Sequence, residues 1–243
     1  MSICAVLPCD SRHAVHAHKA INSLVEQTWP IATIVIRFSS MAECPAKEAR
    51  LPALPNLFVN CTTEQESLGV VRDEGVKWCR GEEYITFLDS DDVALPYAMQ
   101  RMISLMRQTN ASVGLHNYFP KNRPLVVRNH TELVRHYYPG KLPPFDIDAH
   151  MAHSTIRSSV WIPHRNITIG EDSWFMNDLW GRNATFVHTQ EKLTLYIDRN
   201  RKHKPPATVK FMRLRRNERL RRMENPRSWW QKLGDSLRNV LIG

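Results

Sequence analysis

The chain has 243 residues, of which 42% are hydrophobic, and a formal net charge of +9. This length allows one substantial core with an appendage. The charge is uneven, because residues 208–243 hold ten Lys or Arg against three Asp or Glu and so carry +7 of the total. The body is therefore close to neutral and shows no nucleic-acid-binding module, so a nucleic-acid partner is not expected.

The chain shows no run of 18 apolar residues, so a membrane-spanning helix is not predicted. Its first residues lack the basic region and long apolar run of a signal peptide. The five cysteines form no CxxC pair, which argues against a zinc site and supplies no disulfide framework. We therefore expect reduced thiols in a cytoplasmic protein, at Cys4, Cys9, Cys44, Cys61 and Cys79.

The first 108 residues alternate between apolar strands and amphipathic helices. Short apolar or β-branched runs predict strands, over residues 2–7, 31–36, 57–59 and 84–88. Apolar residues at helical spacing predict helices, over residues 12–27, 64–79 and 95–108. This order predicts an α/β fold with a single Rossmann-like, mainly parallel sheet flanked by helices.

The second half of the chain is less regular. We predict a strand over residues 112–118 and loops over 120–150. A short helix is expected to open at residues 170–172, and further strands are expected over 184–188 and 193–197.

The stretch EEYITFLDSDDVALP places three carboxylates directly after a predicted strand, at Asp89, Asp91 and Asp92. Ligands of parallel sheets bind beyond the carboxyl ends of the strands, and Pro8 and Asp10 follow another strand at the same edge. An Asp-x-Asp sequence there can hold a hard divalent cation together with a phosphate. The alternative is that Asp91 or Asp92 caps the following helix.

Two longer segments carry a family resemblance. GVVRDEGVKWCRGEEYITFLDSDDVALPYAMQRMISLM resembles the core of the family 2 glycosyltransferases of GT-A fold, and ICAVLPCDSRHAVHAHKAINSLVEQTWPIATIVI resembles their opening. The likeness is close over residues 2–108. It extends loosely to about residue 203 and implies a GT-A domain over residues 1–207, with a nucleotide-sugar half (1–108) and an acceptor half (109–207). The charge and apolar spacing of residues 208–243 predict a basic amphipathic helical tail after this domain.

The resemblance also implies roles for individual residues. The positions that contact the nucleotide-sugar are Pro8, Asp10, Arg72, Asp73, Asp89 and Ser90. The metal positions are Asp91, Asp89 and His203, although a solvated histidine is the alternative for His203. Gly170-Glu171-Asp172 matches the Glu-Asp pair at a helix start, so that Glu171 and Asp172 are catalytic. Asp172 is then the general base; a helix-capping carboxylate is the alternative.

The function implied by the resemblance is transfer of a sugar from a UDP-sugar to a hydroxyl of a glycan, glycoprotein or lipid-linked acceptor. It would need Mn²⁺ or Mg²⁺ and would invert the anomeric centre. One departure concerns the end of the second strand, Ile36–Ser40, which lacks the family's acidic residues. Arg37 there is expected to face solvent or a phosphate. This departure keeps open a degenerate, non-catalytic relative that binds a nucleotide or glycan.

The basic tail repeats apolar residues every four positions, at Trp229, Leu233, Leu237 and Leu241. Such a face with nearby Arg is typical of a helix that lies on an anionic membrane. The alternative is packing against the enzyme itself. A cytoplasmic protein with peripheral membrane contact is the expected setting.

Overall fold

The computed structural model describes residues 1–41, 44, 49–120, 134–137, 151–164 and 171–196. Its strands are β1 Ile3–Asp10, β2 Thr33–Ser39, β3 Leu57–Cys61, β4 Tyr84–Phe87, β5 Val93–Ala94, β6 Val113–Pro120, β7 Val134–Tyr137, β8 Ser154–Arg157 and β9 Phe186–Tyr196. Its α-helices are α1 Ala17–Val25, α2 Leu68–Val76, α3 Ala98–Gln108 and α4 Glu171–Gly181. His203 and the predicted tail, residues 208–243, lie outside the described residues.

The strands form one mixed sheet in the order β3-β2-β1-β4-β8-β6-β9-β5, and β7 pairs with β9. Strands β3, β2, β1 and β4 are parallel, as predicted for the first half. The expectation of a mainly parallel sheet is wrong for the second half. There β8 runs antiparallel to both β4 and β6, and β9 runs antiparallel to β5 and β7.

Helices cover both faces of the sheet and bury two apolar clusters. On one face, α1 and α3 pack on the alternate residues of β1 and β2 that include Leu7 and Ile36. On the other face, α4 packs against a cluster that includes Val6 and Ile85. Helix α2 lies so close to β1 on this face that a Cβ at Gly75 would stand 2.5 Å from Val6 Cγ1. Glycine is therefore required there for the approach of α2.

The second half differs from its sequence prediction in three places. The four-residue strand β8 was not predicted, because Ser-Thr-Ile-Arg has no alternation that distinguishes it from a loop. Strand β7 lies within the segment predicted as loops. The strands predicted over 184–188 and 193–197 are one strand, β9, whose pairing with β6 contains register shifts. Helix α4 begins at Glu171, as predicted.

Four of the five cysteines are joined in disulfide bonds. Cys4 of β1 bonds Cys79 after α2, and Cys44 bonds Cys61 of β3, with Cα–Cα distances of 5.7 and 5.6 Å. Cys9 is free and buried. The expectation of reduced thiols is therefore wrong for these four residues, because the fold brings together cysteines whose spacing in sequence shows no pattern.

Candidate active site

The predicted acidic residues meet at the carboxyl edge of the parallel strands. Asp10 ends β1, and Asp89 to Asp92 follow β4 directly. Helix α2 brings Arg72 to this edge, and α4 brings Glu171 and Asp172 from the other half of the chain. The site therefore combines residues from both predicted halves.

Arg72 is the centre of the first cluster of charges, which we call the Arg72 cluster: Arg72, Asp89, Glu171 and Asp172. Its side chain is only 1% exposed. Arg72 Nη1 donates a hydrogen bond to Asp172 Oδ1 and lies 4.0 Å from Glu171 Oε1, while Nη2 lies 3.5 Å from Asp89 Oδ1. One buried guanidinium thus holds three carboxylates from two distant segments.

The electrostatics of the Arg72 cluster follow from its burial. Burial opposes the charge on Arg72, but Asp172, Asp89 and Glu171 together raise its pKa above the usual value. The pKa of Asp89 is raised by burial, which outweighs the lowering effect of Arg72. Burial, and then the charge of Asp172, raise the pKa of Glu171. The three carboxylates therefore carry more negative charge than one arginine compensates, and a bound cation would reduce this excess of negative charge.

Asp172 is held on both of its oxygens. Oδ1 accepts from Arg72, and Oδ2 accepts from the backbone N–H of Met151 at 3.2 Å. Asp172 lies in the first turn of α4, where the helix dipole also favours a negative charge. A carboxylate that is oriented in this way, where negative charge is favoured, can accept a proton from a hydroxyl group.

A second group of charges lies at the end of β1, and we call it the His13 cluster: Asp10, Arg12, His13 and Asp91. His13 Nδ1 lies 3.1 Å from Asp10 Oδ1, and His13 Nε2 lies 3.8 Å from Asp91 Oδ2. Asp10 also accepts from the backbone N–H groups of Arg12 and His13, at 2.9 and 3.2 Å. The histidine thus bridges the end of β1 and the Asp-x-Asp sequence after β4.

The two carboxylates of the His13 cluster differ in their pKa. Burial raises the pKa of Asp91, and His13 opposes this rise. For Asp10, burial also acts upward, but the hydrogen bond and charge of Arg12 and the charge of His13 outweigh it and lower the pKa. Asp10 is therefore the more firmly ionised carboxylate of the pair.

Ser90, assigned to the nucleotide-sugar by resemblance, is buried in the structure. It lies beside the buried thiol of Cys9, which donates to the backbone carbonyl of Asp10 at 3.4 Å and whose pKa burial raises to about 12. The thiol is therefore protonated at neutral pH. Ser90 thus brings the Asp-x-Asp segment next to the end of β1.

Asp73 points to a different partner from the other predicted residues. Both of its oxygens contact His164, through the ring Nδ1 at 2.7 Å and the backbone N–H at 2.8 Å. The His164 ring packs in turn on Phe175 of α4, with ring centroids 4.2 Å apart. Asp73 thus links α2 to the second half of the chain.

Arg37 does not face solvent, so that expectation for it is wrong. It is buried in β2, where Nε and Nη2 donate to Glu66 at 3.1 and 2.7 Å and Nη1 donates to Asn60 at 2.8 Å. Glu66 therefore brings a carboxylate to β2 from the loop before α2. The charge of Arg37 is compensated within the protein.

Two histidines at the site had no assigned role in the sequence. His153 Nε2 lies 3.7 Å from Asp92 Oδ2, and both side chains are buried. Asp92 therefore faces the interior beside His153. His13 gave no sequence signal, because its contacts depend on the path of the loop after β1.

The donor set at this edge fits a divalent cation. Carboxylates of Asp89 and Asp91 are ligands that Mg²⁺ and Mn²⁺ accept, and these ions commonly take one or two carboxylates together with substrate phosphates. Within the described ranges, the three-residue group whose ligand atoms all lie within 4.8 Å of one another is instead Cys4, Cys79 and Glu82. Its two cysteines are bonded to each other, so this group is a disulfide with a nearby carboxylate.

In α/β folds, ligands bind beyond the carboxyl ends of the parallel strands, which is where the acidic residues of this chain lie. The model of the family named Glycosyl transferase family 2 matches residues 16–158. The chain belongs to this family. No curated protein matches it.

Solved structures with the same fold include two of S. aureus TarS 1-349. The structure in complex with UDP-GlcNAc superposes with a TM-score of 0.67 at 16% identity and covers 86% of this chain. The structure in complex with UDP gives a TM-score of 0.62 at 15% identity and covers 82% of this chain. The chain spans 62% and 61% of the length of those two proteins. The GT-A fold predicted from the resemblance is confirmed.

None of the helices in the described parts of the chain combines the length and apolar character needed to cross a membrane.

Proposed function

We propose that this protein transfers a sugar from a UDP-sugar to an acceptor hydroxyl, with a divalent cation and with inversion. The observation that carries the proposal is the Arg72 cluster, because it joins the Asp-x-Asp segment to the Glu-Asp pair of α4. UDP as the nucleotide is supported by the TarS complexes with UDP and UDP-GlcNAc. A glycan, glycoprotein or lipid-linked acceptor remains the proposed acceptor class.

In the proposed reaction, Asp89 and Asp91 would hold Mn²⁺ or Mg²⁺, and the bound ion would neutralise charge on the donor diphosphate. Asp172 takes the proton of the acceptor hydroxyl as the oxygen attacks the anomeric carbon. The bond from that carbon to the diphosphate oxygen breaks on the opposite face, so the configuration inverts. Pro8 and Asp10 at the end of β1 and Ser90 in the Asp-x-Asp turn are the proposed contacts of the nucleotide-sugar.

The test is a donor panel of UDP-, GDP-, dTDP- and CMP-sugars, with and without Mn²⁺. Thermal shift measures binding, and nucleotide release measures turnover. We expect one donor, a UDP-sugar, to stabilise the protein and to be hydrolysed only with metal. Asp91→Ala should lose the metal-dependent part of both signals.

A second variant separates catalysis from binding. Asp172→Asn should bind the donor as the wild type does but lose about 10²- to 10⁴-fold in transfer or hydrolysis rate, because it lacks the general base. Binding without release in the wild type would instead support the non-catalytic relative. If no nucleotide binds with any metal, the transferase proposal fails.

The cellular setting is also part of the proposal. The sequence favours a cytoplasmic protein with peripheral membrane contact through residues 208–243, but disulfides persist mainly in oxidising compartments. Thiol titration of the denatured, unreduced protein should find one free thiol, Cys9, if both disulfides form. Five free thiols would restore the cytoplasmic expectation.

A further inference from the structure

His13 occupies a place between two acidic segments that the roles described so far do not explain. Its ring is partly exposed and faces Asp10 on one side and Asp91 on the other. Asp91 is the residue assigned to the cation, and Asp10 is assigned only to the nucleotide. The ring thus connects a proposed metal ligand to a carboxylate that has no assigned metal role.

We propose that His13 binds the divalent cation through Nε2, beside Asp91, and that Asp10 orients its ring. The proposal rests on the metal-dependent function proposed above, and it adds a nitrogen ligand from the first strand of the fold to the oxygen ligands of the Asp-x-Asp sequence.

The contact with Asp10 favours one ring nitrogen as the metal ligand. Nδ1 lies 3.1 Å from Asp10 Oδ1, so a proton on Nδ1 faces the carboxylate. In the neutral ring, Nε2 then keeps its lone pair. Carboxylate–histidine–metal arrangements use this same pairing to set the tautomer and to raise the basicity of the ligand.

The distance to Asp91 is close to that of two ligands of one ion. His13 Nε2 and Asp91 Oδ2 are 3.8 Å apart. With bonds of about 2.1 Å, as in octahedral Mg²⁺ sites, adjacent ligands lie about 3 Å apart and opposite ligands about 4.2 Å apart. The observed separation matches neither value, so binding of one ion requires a side-chain rotation that brings the two atoms to an adjacent pair of positions.

Asp10 is well placed to hold the ring. Its Oδ1 accepts from two consecutive backbone N–H groups, and its Oδ2 accepts from the Arg12 guanidinium at 3.0 Å. The carboxylate is therefore fixed relative to the loop that carries His13. A fixed carboxylate keeps Nε2 directed at Asp91.

A nitrogen ligand has a consequence for metal choice. Mn²⁺ and Mg²⁺ both favour oxygen ligands, but Mn²⁺ is a transition metal and accepts an imidazole nitrogen more readily than Mg²⁺. We therefore expect the protein to bind Mn²⁺ more tightly than Mg²⁺, and we expect removal of the imidazole to narrow that difference.

The experiment measures Mn²⁺ and Mg²⁺ binding to the full chain in the presence of UDP. Free Mn²⁺ is followed by electron paramagnetic resonance, Mg²⁺ by competition, and coordination by ¹⁴N spin-echo modulation of the bound Mn²⁺. His13→Ala is compared with His16→Ala, a matched histidine three residues along the chain. Among the ion pairs found in the described ranges, none involves His16.

We expect His13→Ala to weaken Mn²⁺ binding at least about tenfold, to affect Mg²⁺ less, and to remove the ¹⁴N modulation. Asp10→Asn should weaken Mn²⁺ binding by about 10- to 100-fold, as the loss of an orienting carboxylate does elsewhere. His16→Ala should behave as the wild type. Thermal unfolding without metal checks that each variant is folded.

Three results would overturn the inference. In the first, His13→Ala keeps the Mn²⁺ affinity and the ¹⁴N modulation of the wild type, while Asp91→Ala loses the metal. That result would leave the proposed function intact. Another is an equal loss of UDP affinity with and without Mn²⁺, which would place His13 on the phosphate. The last is a wild type that binds UDP but no Mn²⁺. Failure of the proposed function is separate, because the wild type would then bind no nucleotide at all.

Discussion

The Arg72 cluster and the His13 cluster lie at the same edge of the sheet but hold their carboxylates in different ways. In the Arg72 cluster, a guanidinium that is 1% exposed lies among three carboxylates. In the His13 cluster, a partly exposed imidazole lies between two carboxylates, and the arginine beside it, Arg12, is 76% exposed.

The difference separates two tasks. A guanidinium is always charged and offers a planar fork of donors, so Arg72 can orient Asp172 before any ligand arrives. An imidazole can lose its proton and offer a lone pair, so His13 can bind a cation. One cluster is thus built around permanent charge, and the other around a group that can change its charge.

Removal of the central arginine should break the Arg72 cluster and give the largest effect. Arg72→Gln leaves Asp89, Glu171 and Asp172 without their buried partner. We expect a loss of about 3–5 kcal/mol in the free energy of unfolding, as for other broken buried ion pairs. Urea unfolding at pH 7 measures it.

Arg12→Gln is the matched control in the His13 cluster. Its side chain is mostly exposed, so the loss should be about 1 kcal/mol or less. Arg72→Lys should fall between the two, because lysine keeps the charge but not the fork. Similar losses in the free energy of unfolding for Arg72→Gln and Arg12→Gln would contradict the proposed difference between a buried and an exposed arginine.

Removal of one carboxylate from the Arg72 cluster should have a smaller effect than removal of the arginine. The sign should also be opposite, because this change should stabilise the protein. Burial raises the pKa of Glu171 above that of the unfolded chain. The folded protein therefore binds this proton more tightly, and stability is lost as the pH rises through about 4 and above. Glu171→Gln has no such proton, so we expect its Tm to rise by about 1–3 °C at pH 7.

The gain from Glu171→Gln should disappear below about pH 4, where Glu171 is protonated in both states. Thermal unfolding from pH 4 to 7 measures this trend. Glu74→Gln is the control, because Glu74 pairs with Lys77 on the surface of α2. A Tm at pH 7 that is unchanged or lower in Glu171→Gln would contradict an excess of negative charge in the Arg72 cluster.

The first half of the chain was predictable because its signals are local. Apolar runs and helical spacing identified β1 to β4 and their helices, since parallel strands buried on both faces are apolar throughout. The position of the acidic residues just after β4 and the start of α4 at Glu171 also agree with the sequence prediction. The prediction missed β5 in the first half and β8 in the second, and it placed β7 in a loop, because these strands are too short to show a period.

The pairing of side chains was not predictable. Arg72 and Asp172 are 100 residues apart, and Asp73 meets His164 across 91. The disulfide between Cys4 and Cys79 likewise joins residues 75 positions apart. Such contacts depend on the direction in which each side chain leaves its helix or strand, and no local pattern records this.

The sequence by itself determined the family, the parallel core and the acidic edge of the sheet, because strand burial and an acidic strand end are properties of short segments. Only the tertiary structure decided that Arg72 holds Asp172, that Asp73 belongs to His164, and that His13 faces Asp91. These pairings exist because the sheet brings the ends of β1 and β4 and the starts of α2 and α4 to one place. Each charged side chain at this place then pairs with the oppositely charged groups that lie close to it.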